Sequence, residues 1–182
     1  MSLITIHQQR MIAAMGETVL DILFKHEQPV AAVPGGSSFN SIISVGRTGT
    51  PCCFVGYTGN DHVGDNVQSF LTANGVAAEC FQKRDGEKSA RSLAFLDSQC
   101  DAHYTFYKAP PTAAEQYDLP RLKADDIMLY GSYYAICKGM REQVTSLLEV
   151  AREADAIIYY DVNFRSSHQA ERPSLLPVIE SN

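Results

Sequence analysis

The chain is 182 residues long, 45% hydrophobic and 20% charged, and these values exclude disorder, collagen and coiled coil as descriptions of the whole chain. Its 15 Lys and Arg against 21 Asp and Glu give a net charge of -6, which argues against general nucleic-acid binding, since that needs a basic face to displace counterions from phosphates. The longest uncharged stretch, residues 28–46, contains Pro34, Gly35, Gly36, Ser37, Ser38 and Asn40 and is no membrane span, and no basic-then-apolar leader opens the chain.

Residues 11–15 are a short apolar run ending at Gly16, and residues 17–23 alternate loosely, so a buried strand is expected to pass into a more exposed one. Pro34-Gly35-Gly36 then breaks the chain. Ser37 or Ser38 suits the N-cap of a helix whose Phe39, Ile42 and Ile43 share a face, and Gly49 and Pro51 stop it. Residues 52–56 read as a buried strand, residues 58–61 as a polar loop, and residues 63–73 as a helix ending at Asn74-Gly75. This succession is a βαβ rhythm.

The middle of the chain differs. Residues 90–96 and 103–108 read as two strands joined by a hairpin at 97–102, with Tyr104, Phe106 and Lys108 on one face and Thr105 and Tyr107 on the other. A small sheet added to an α/β body is expected. From Asp126 the rhythm returns, with a strand at 127–130, a helix carrying Val144, Leu147, Leu148 and Ala151, and a buried strand at 156–160. After Pro173, residues 175–179 look helical in spite of Pro177.

Five cysteines is an odd number, with neither CxxC spacing nor a matching His pair. They read as reduced, mostly buried thiols of a cytoplasmic protein, not as a metal site. The sequence has no GxxxxGK[ST] loop, no GxGxxG after a strand, no HExxH and no GxSxG elbow. Polar residues instead gather at the ends of the expected parallel strands, where open α/β sheets bind ligands. Asp21 follows the first strand, Gly35 and Gly36 lead into a helix, Asn40 lies in its first turn, and Asp161, Asn163 and Arg165 follow a later strand. Paired glycines let a ligand approach the backbone, and an Asn amide both donates to and accepts from a hydroxyl. Asp, Asn and bare backbone together suit polyol recognition, although each alone also reads as a turn, a cap or a solvated charge.

In order and spacing, Gly16-Glu17-Thr18-Val19-Leu20-Asp21, Pro34-Gly35-Gly36-Ser37-Ser38-Phe39-Asn40, Gly56-Tyr57-Thr58-Gly59-Asn60-Asp61-His62-Val63-Gly64 and Asp161-Val162-Asn163-Phe164-Arg165 resemble the PfkB family of carbohydrate kinases. The last motif looks most like the fructokinase and 2-keto-3-deoxygluconate kinase branches. The resemblance implies a ribokinase-like three-layer α/β/α fold with a mainly parallel central sheet and a small β-sheet lid, its strands around 17–33 and 89–108. It implies that Asp21, Gly35, Gly36 and Asn40 hold sugar hydroxyls, with Lys108 a looser match, and that Asn163 and Arg165 lie toward phosphate or a substrate acid group. ATP and Mg2+ are implied as cofactors, a sugar and ATP as small-molecule partners, and a homodimer through the lid.

The family's Gly-Ala-Gly-Asp run, which supplies the catalytic base, and its magnesium-associated Asn-x-x-Glu segment are absent. Residues 1–182 therefore read as the N-terminal, sugar-binding part of a kinase whose base is expected beyond Asn182. Alternatives are a 2-keto-3-deoxy sugar acid kinase and a non-catalytic sugar-binding or regulatory module.

Overall fold

The structure, a computed structural model, describes residues 10–98, 101–109 and 117–182. Five parallel strands build the central sheet: β1 (Ile12–Met15), β4 (Cys52–Gly59), β5 (Phe81–Arg84), β8 (Ile127–Gly131) and β9 (Ile157–Asp161), in the order β5-β4-β1-β8-β9. A separate sheet has the order β3-β2-β6-β7 and comprises β2 (Val19–Lys25), β3 (Gln28–Gly35), β6 (Arg91–Leu96) and β7 (Ala102–Tyr107). Helices α1 (Ser37–Arg47), α2 (His62–Ala73), α3 (Ser132–Ile136), α4 (Arg141–Glu153) and α5 (Arg172–Ser181) complete the fold, with short 3-10 turns at Lys138–Met140 and Ser166–Glu171.

Strand alternation makes the three layers. Ala14, Cys52 and Phe54 pack with Phe39, Ile42 and Ile43 of α1 and Val67 and Leu71 of α2. Their neighbours Ala13, Met15, Cys53, Val55, Met128 and Tyr130 pack with Tyr134 of α3 and Val144, Leu147, Leu148 and Ala151 of α4. Burying a side chain such as Phe39 or Ile42 removes enough apolar surface from water to stabilise the fold by about 1.5–3 kcal/mol each. No helix among the described residues is long and apolar enough to cross a membrane.

Several expectations need correction. Asp21 stands as expected, after β1 and inside the more exposed β2, opposite Val33 of β3 and Ser92 of β6, and the corrections lie elsewhere. Pro34 and Gly35 do not break the chain; they end β3, opposite Leu20 and Val19, so the second sheet extends to Gly35. Two prolines fit this strand because it is the sheet's outer edge, where missing donors cost no ladder bond. Strand β5 was not legible, and β7 runs one residue earlier than its pattern suggests. The strand expected to be buried at 156–160 lies at the edge of the central sheet, where Ile157 is 43% and Tyr159 61% exposed. Cys52, Cys53, Cys80 and Cys137 are free and buried, while Cys100 and part of the 97–102 turn lie outside the described residues.

Candidate functional site

Chain order places the switch point of the central sheet beside β1: β4 and β5 extend the sheet on one side and β8 and β9 on the other. Connections leave in opposite directions there, so a crevice opens at the carboxyl ends of the strands. A cleft with about 470 Å³ of open space lies at this edge. Its lining includes Glu17 and Thr18 after β1, Tyr57, Thr58 and Gly59 of β4, and Tyr134 of α3, together with Lys88 and Lys108 from the segments that flank the second sheet.

Asp21, Gly35 and Asn40 come together outside that lining, next to Gly36, where an added Cβ would meet the carbonyl of the cleft residue Glu17. A Cβ on Gly35 would stand 2.8 Å from Asp21 Oδ2 and 3.9 Å from Asn40 Oδ1, so the glycine leaves backbone bare between a carboxylate and an amide. Ser92 Oγ donates to Asp21 Oδ1 at 2.5 Å and fixes the carboxylate's orientation. Burial, partly offset by that hydrogen bond, pushes the Asp21 carboxyl above the ordinary carboxylate value. Gly36 has φ of 136°, which side chains rarely adopt, and its α-carbon packs against the Glu17 carbonyl. Among the described residues no side chain caps α1, so the amides of its first turn are left for other partners.

The remaining expected residues divide. Asn163, with φ of 34°, donates from Nδ2 to Ser37 Oγ at 2.9 Å and ties the end of β9 to the start of α1. Lys108 lines the cleft, but its Nζ donates to Glu17 Oε2 at 2.6 Å and lies 5.4 Å from the centre of the Phe106 ring. Arg165 is exposed, and no side-chain contact among the described residues joins it to this group.

Three contributors were not legible as such. Ser92 and Glu17 act through partners 71 and 91 residues away, and only strand register shows those pairings. The third is Asp61, the N-cap of α2. Its Oδ1 accepts from Gly64 N at 3.0 Å and from Ser89 Oγ at 2.6 Å, and its Oδ2 accepts from Ser89 N at 3.1 Å. The turn after β4 is thereby clamped to the segment that enters β6, the strand carrying Ser92. Glycine is required here, because a Cβ on Gly64 would lie 2.1 Å from the Gly59 carbonyl oxygen.

Burial pushes the Asp61 carboxyl up, but hydrogen bonds from Ser89 Oγ and the amides of Gly64, Ser89 and Val63 outweigh it and hold the group at about 2. A lowered carboxyl contributes stability that is complete above its unfolded value of about 4 and is lost as pH falls toward about 2. Asp61→Ala is therefore expected to lower unfolding free energy by about 1–2 kcal/mol at neutral pH, with a smaller deficit near pH 2, as read by urea unfolding at both pH values.

Residues 9–180 match the pfkB family carbohydrate kinases. The chain belongs to that family. It is 27% identical over 169 residues to a probable fructokinase-4 of Arabidopsis thaliana, covering 87% of this chain and 52% of the relative. It is 33% identical over 137 residues to fructokinase-2 of Solanum lycopersicum, covering 72% of this chain and 42% of the relative. This pfkB-family chain thus spans about half the length of the curated relatives it matches.

Among solved structures, the apo fructokinase of Vibrio cholerae O395 superposes with a TM-score of 0.81 at 19% identity, over 96% of this chain and 60% of that one. The aminoimidazole riboside kinase of Salmonella enterica, solved with aminoimidazole riboside and an ATP analog, gives 0.75 at 23% identity, over 92% and 56%. These establish the fold: three α/β layers, a mainly parallel central sheet and a small separate sheet.

Proposed function

We propose that the chain is the sugar-binding half of an ATP-dependent kinase that phosphorylates a hydroxyl of a fructose-like sugar. The observation that carries this reading is the bare Gly35 backbone between the Asp21 carboxylate and the Asn40 amide. In it, Asp21 and Asn40 bind sugar hydroxyls, Gly35 and Gly36 let the ring approach the chain, and the β3-β2-β6-β7 sheet is the lid. Asn163 stands at the phosphate side with Arg165 beyond it, and the catalytic base comes from sequence outside these 182 residues.

ATP and Mg2+ belong to this reading through the family and through relatives solved with ATP or ADP. Among the described residues, no group of three or more His, Cys, Asp or Glu side chains could hold a metal, so no residue of this chain is assigned to magnesium. Exposed Val33, Tyr104 and Phe106, which share one face of the lid sheet, support a homodimer formed there.

The test is sugar-dependent ADP release by the complete gene product. Turnover with fructose is the expected result, and absence of turnover with fructose, 2-keto-3-deoxygluconate and nucleosides alike would overturn the assignment. Fructose binding by calorimetry without ADP release would mark a sugar-binding module instead.

A further inference from the structure

Neutral sugars and sugar acids differ by one carboxylate, and a site selects the acid by presenting a cation free to pair with it. Lys108 has the position for that role. Asp21, Ser92 and Phe106 lie opposite one another across β2, β6 and β7, and Lys108 follows two residues after Phe106 on the same face, its ammonium over the Phe106 ring. The lysine is nevertheless occupied. Glu17, at the exit from β1, accepts from Nζ at 2.6 Å, and both side chains keep about a third of their surface open to solvent (30% for Lys108, 33% for Glu17).

The rest of the cleft offers little compensation. Among the described residues its charged lining is Glu17, Glu87, Lys88 and Lys108, two of each sign. Glu87 Oε1 lies 3.6 Å from Arg84, and Lys88 is exposed. An incoming carboxylate would have to displace Glu17 from Lys108 or sit beside it, and like charges repel at that range. A sugar hydroxyl meets no such penalty.

We propose that Glu17 is a specificity-determining residue: by neutralising Lys108 it selects uncharged sugars over sugar acids. The inference rests on the sugar-kinase reading and adds the charge class of the substrate and the residue that sets it. Because the pair is only partly desolvated, the selection is worth about tenfold in affinity rather than several orders of magnitude.

The test is calorimetric titration of fructose and of 2-keto-3-deoxygluconate into wild-type protein, Glu17→Gln and Glu17→Gln/Lys108→Met. Glu17→Gln keeps size and hydrogen-bonding capacity, and its fold is checked by circular dichroism. The ratio of acid affinity to fructose affinity is expected to rise about tenfold in Glu17→Gln and to return to the wild-type value in the double variant. An unchanged ratio in Glu17→Gln overturns the inference, as does a gain that survives Lys108→Met, which would assign the acid to another cation such as Lys88 or Arg165. Wild-type protein that binds the acid more tightly than fructose overturns it too, yet leaves the sugar-kinase reading standing. Wild-type protein that binds neither ligand removes that reading and the inference with it.

Discussion

Asp21→Ala is expected to weaken fructose binding by about 10- to 100-fold, because the proposed function has its carboxylate, which accepts from Ser92 Oγ, accept from sugar hydroxyls as well. Hydrogen bonds to a charged group contribute about 1.5–3 kcal/mol, and each 1.4 kcal/mol is a factor of ten in affinity. The variant also frees the Ser92 hydroxyl inside the second sheet, so Asp21→Asn is the cleaner probe of charge. The raised carboxyl gives the proposed sugar binding a pH signature. Burial, only partly offset by Ser92, favours the protonated form, so sugar affinity should fall as pH drops through a range above the ordinary carboxylate value. That dependence should vanish in Asp21→Asn.

Folding stability runs the other way. A carboxyl raised above its unfolded value contributes most in acid, and the contribution is lost as pH rises through the folded value. Calorimetric affinities of wild-type and both variants across acidic pH decide the matter. Fructose affinity unchanged in Asp21→Ala would remove Asp21 from the site.

Gly36→Ala is expected to destabilise the fold by about 3 kcal/mol or more, lowering the melting temperature by roughly 6–12 °C. Two penalties combine. The residue has φ of 136°, where a side chain is strained, and the new Cβ would stand 2.3 Å from the Glu17 carbonyl oxygen. The clashing atom is backbone at the exit from β1, so it cannot swing aside as a side-chain tip would. Gly49 supplies the control: it also has positive φ, 77°, but a Cβ there meets nothing within 4 Å. Gly49→Ala should therefore cost only about 1 kcal/mol. Equal melting temperatures for the two variants would show that the contact with Glu17 is not restrictive.

The elements legible in the sequence are those whose side chains repeat against a single environment. In α1, Phe39, Ile42 and Ile43 mark one face, and in α4 the stripe from Val144 to Ala151 does the same. Strands β1, β4 and β8 lie inside the central sheet with helices over both faces, so apolar runs identify them. Strand β3 came only from the resemblance, through lid strands around 17–33, because an edge position cancels the usual meaning of Pro29 and Pro34 in the residue pattern. Strand β5 has four residues, Phe81–Arg84, and its Arg84 is buried over the Tyr57 ring at 3.7 Å, a contact no local pattern announces. Strand β9 has apolar residues on both faces yet exposes Ile157 and Tyr159.

The site divides along the same line. The sequence by itself determined which residues could recognise a polyol: Asp21, the Gly35-Gly36 pair and Asn40 are close along the chain, and their chemistry is a property of residue type and local spacing. Their family membership was also legible, since four motifs recur in fixed order. Only the tertiary structure decided which groups are engaged and by what. Ser92 reaches Asp21 across 71 residues, Glu17 reaches Lys108 across 91, and Asn163 reaches Ser37 across 126. Such pairings depend on strand order and register, which are set by how the whole chain buries its apolar faces rather than by any local sequence. Lys108, which the resemblance implied only loosely as a substrate contact, stands in the fold as half of an ion pair.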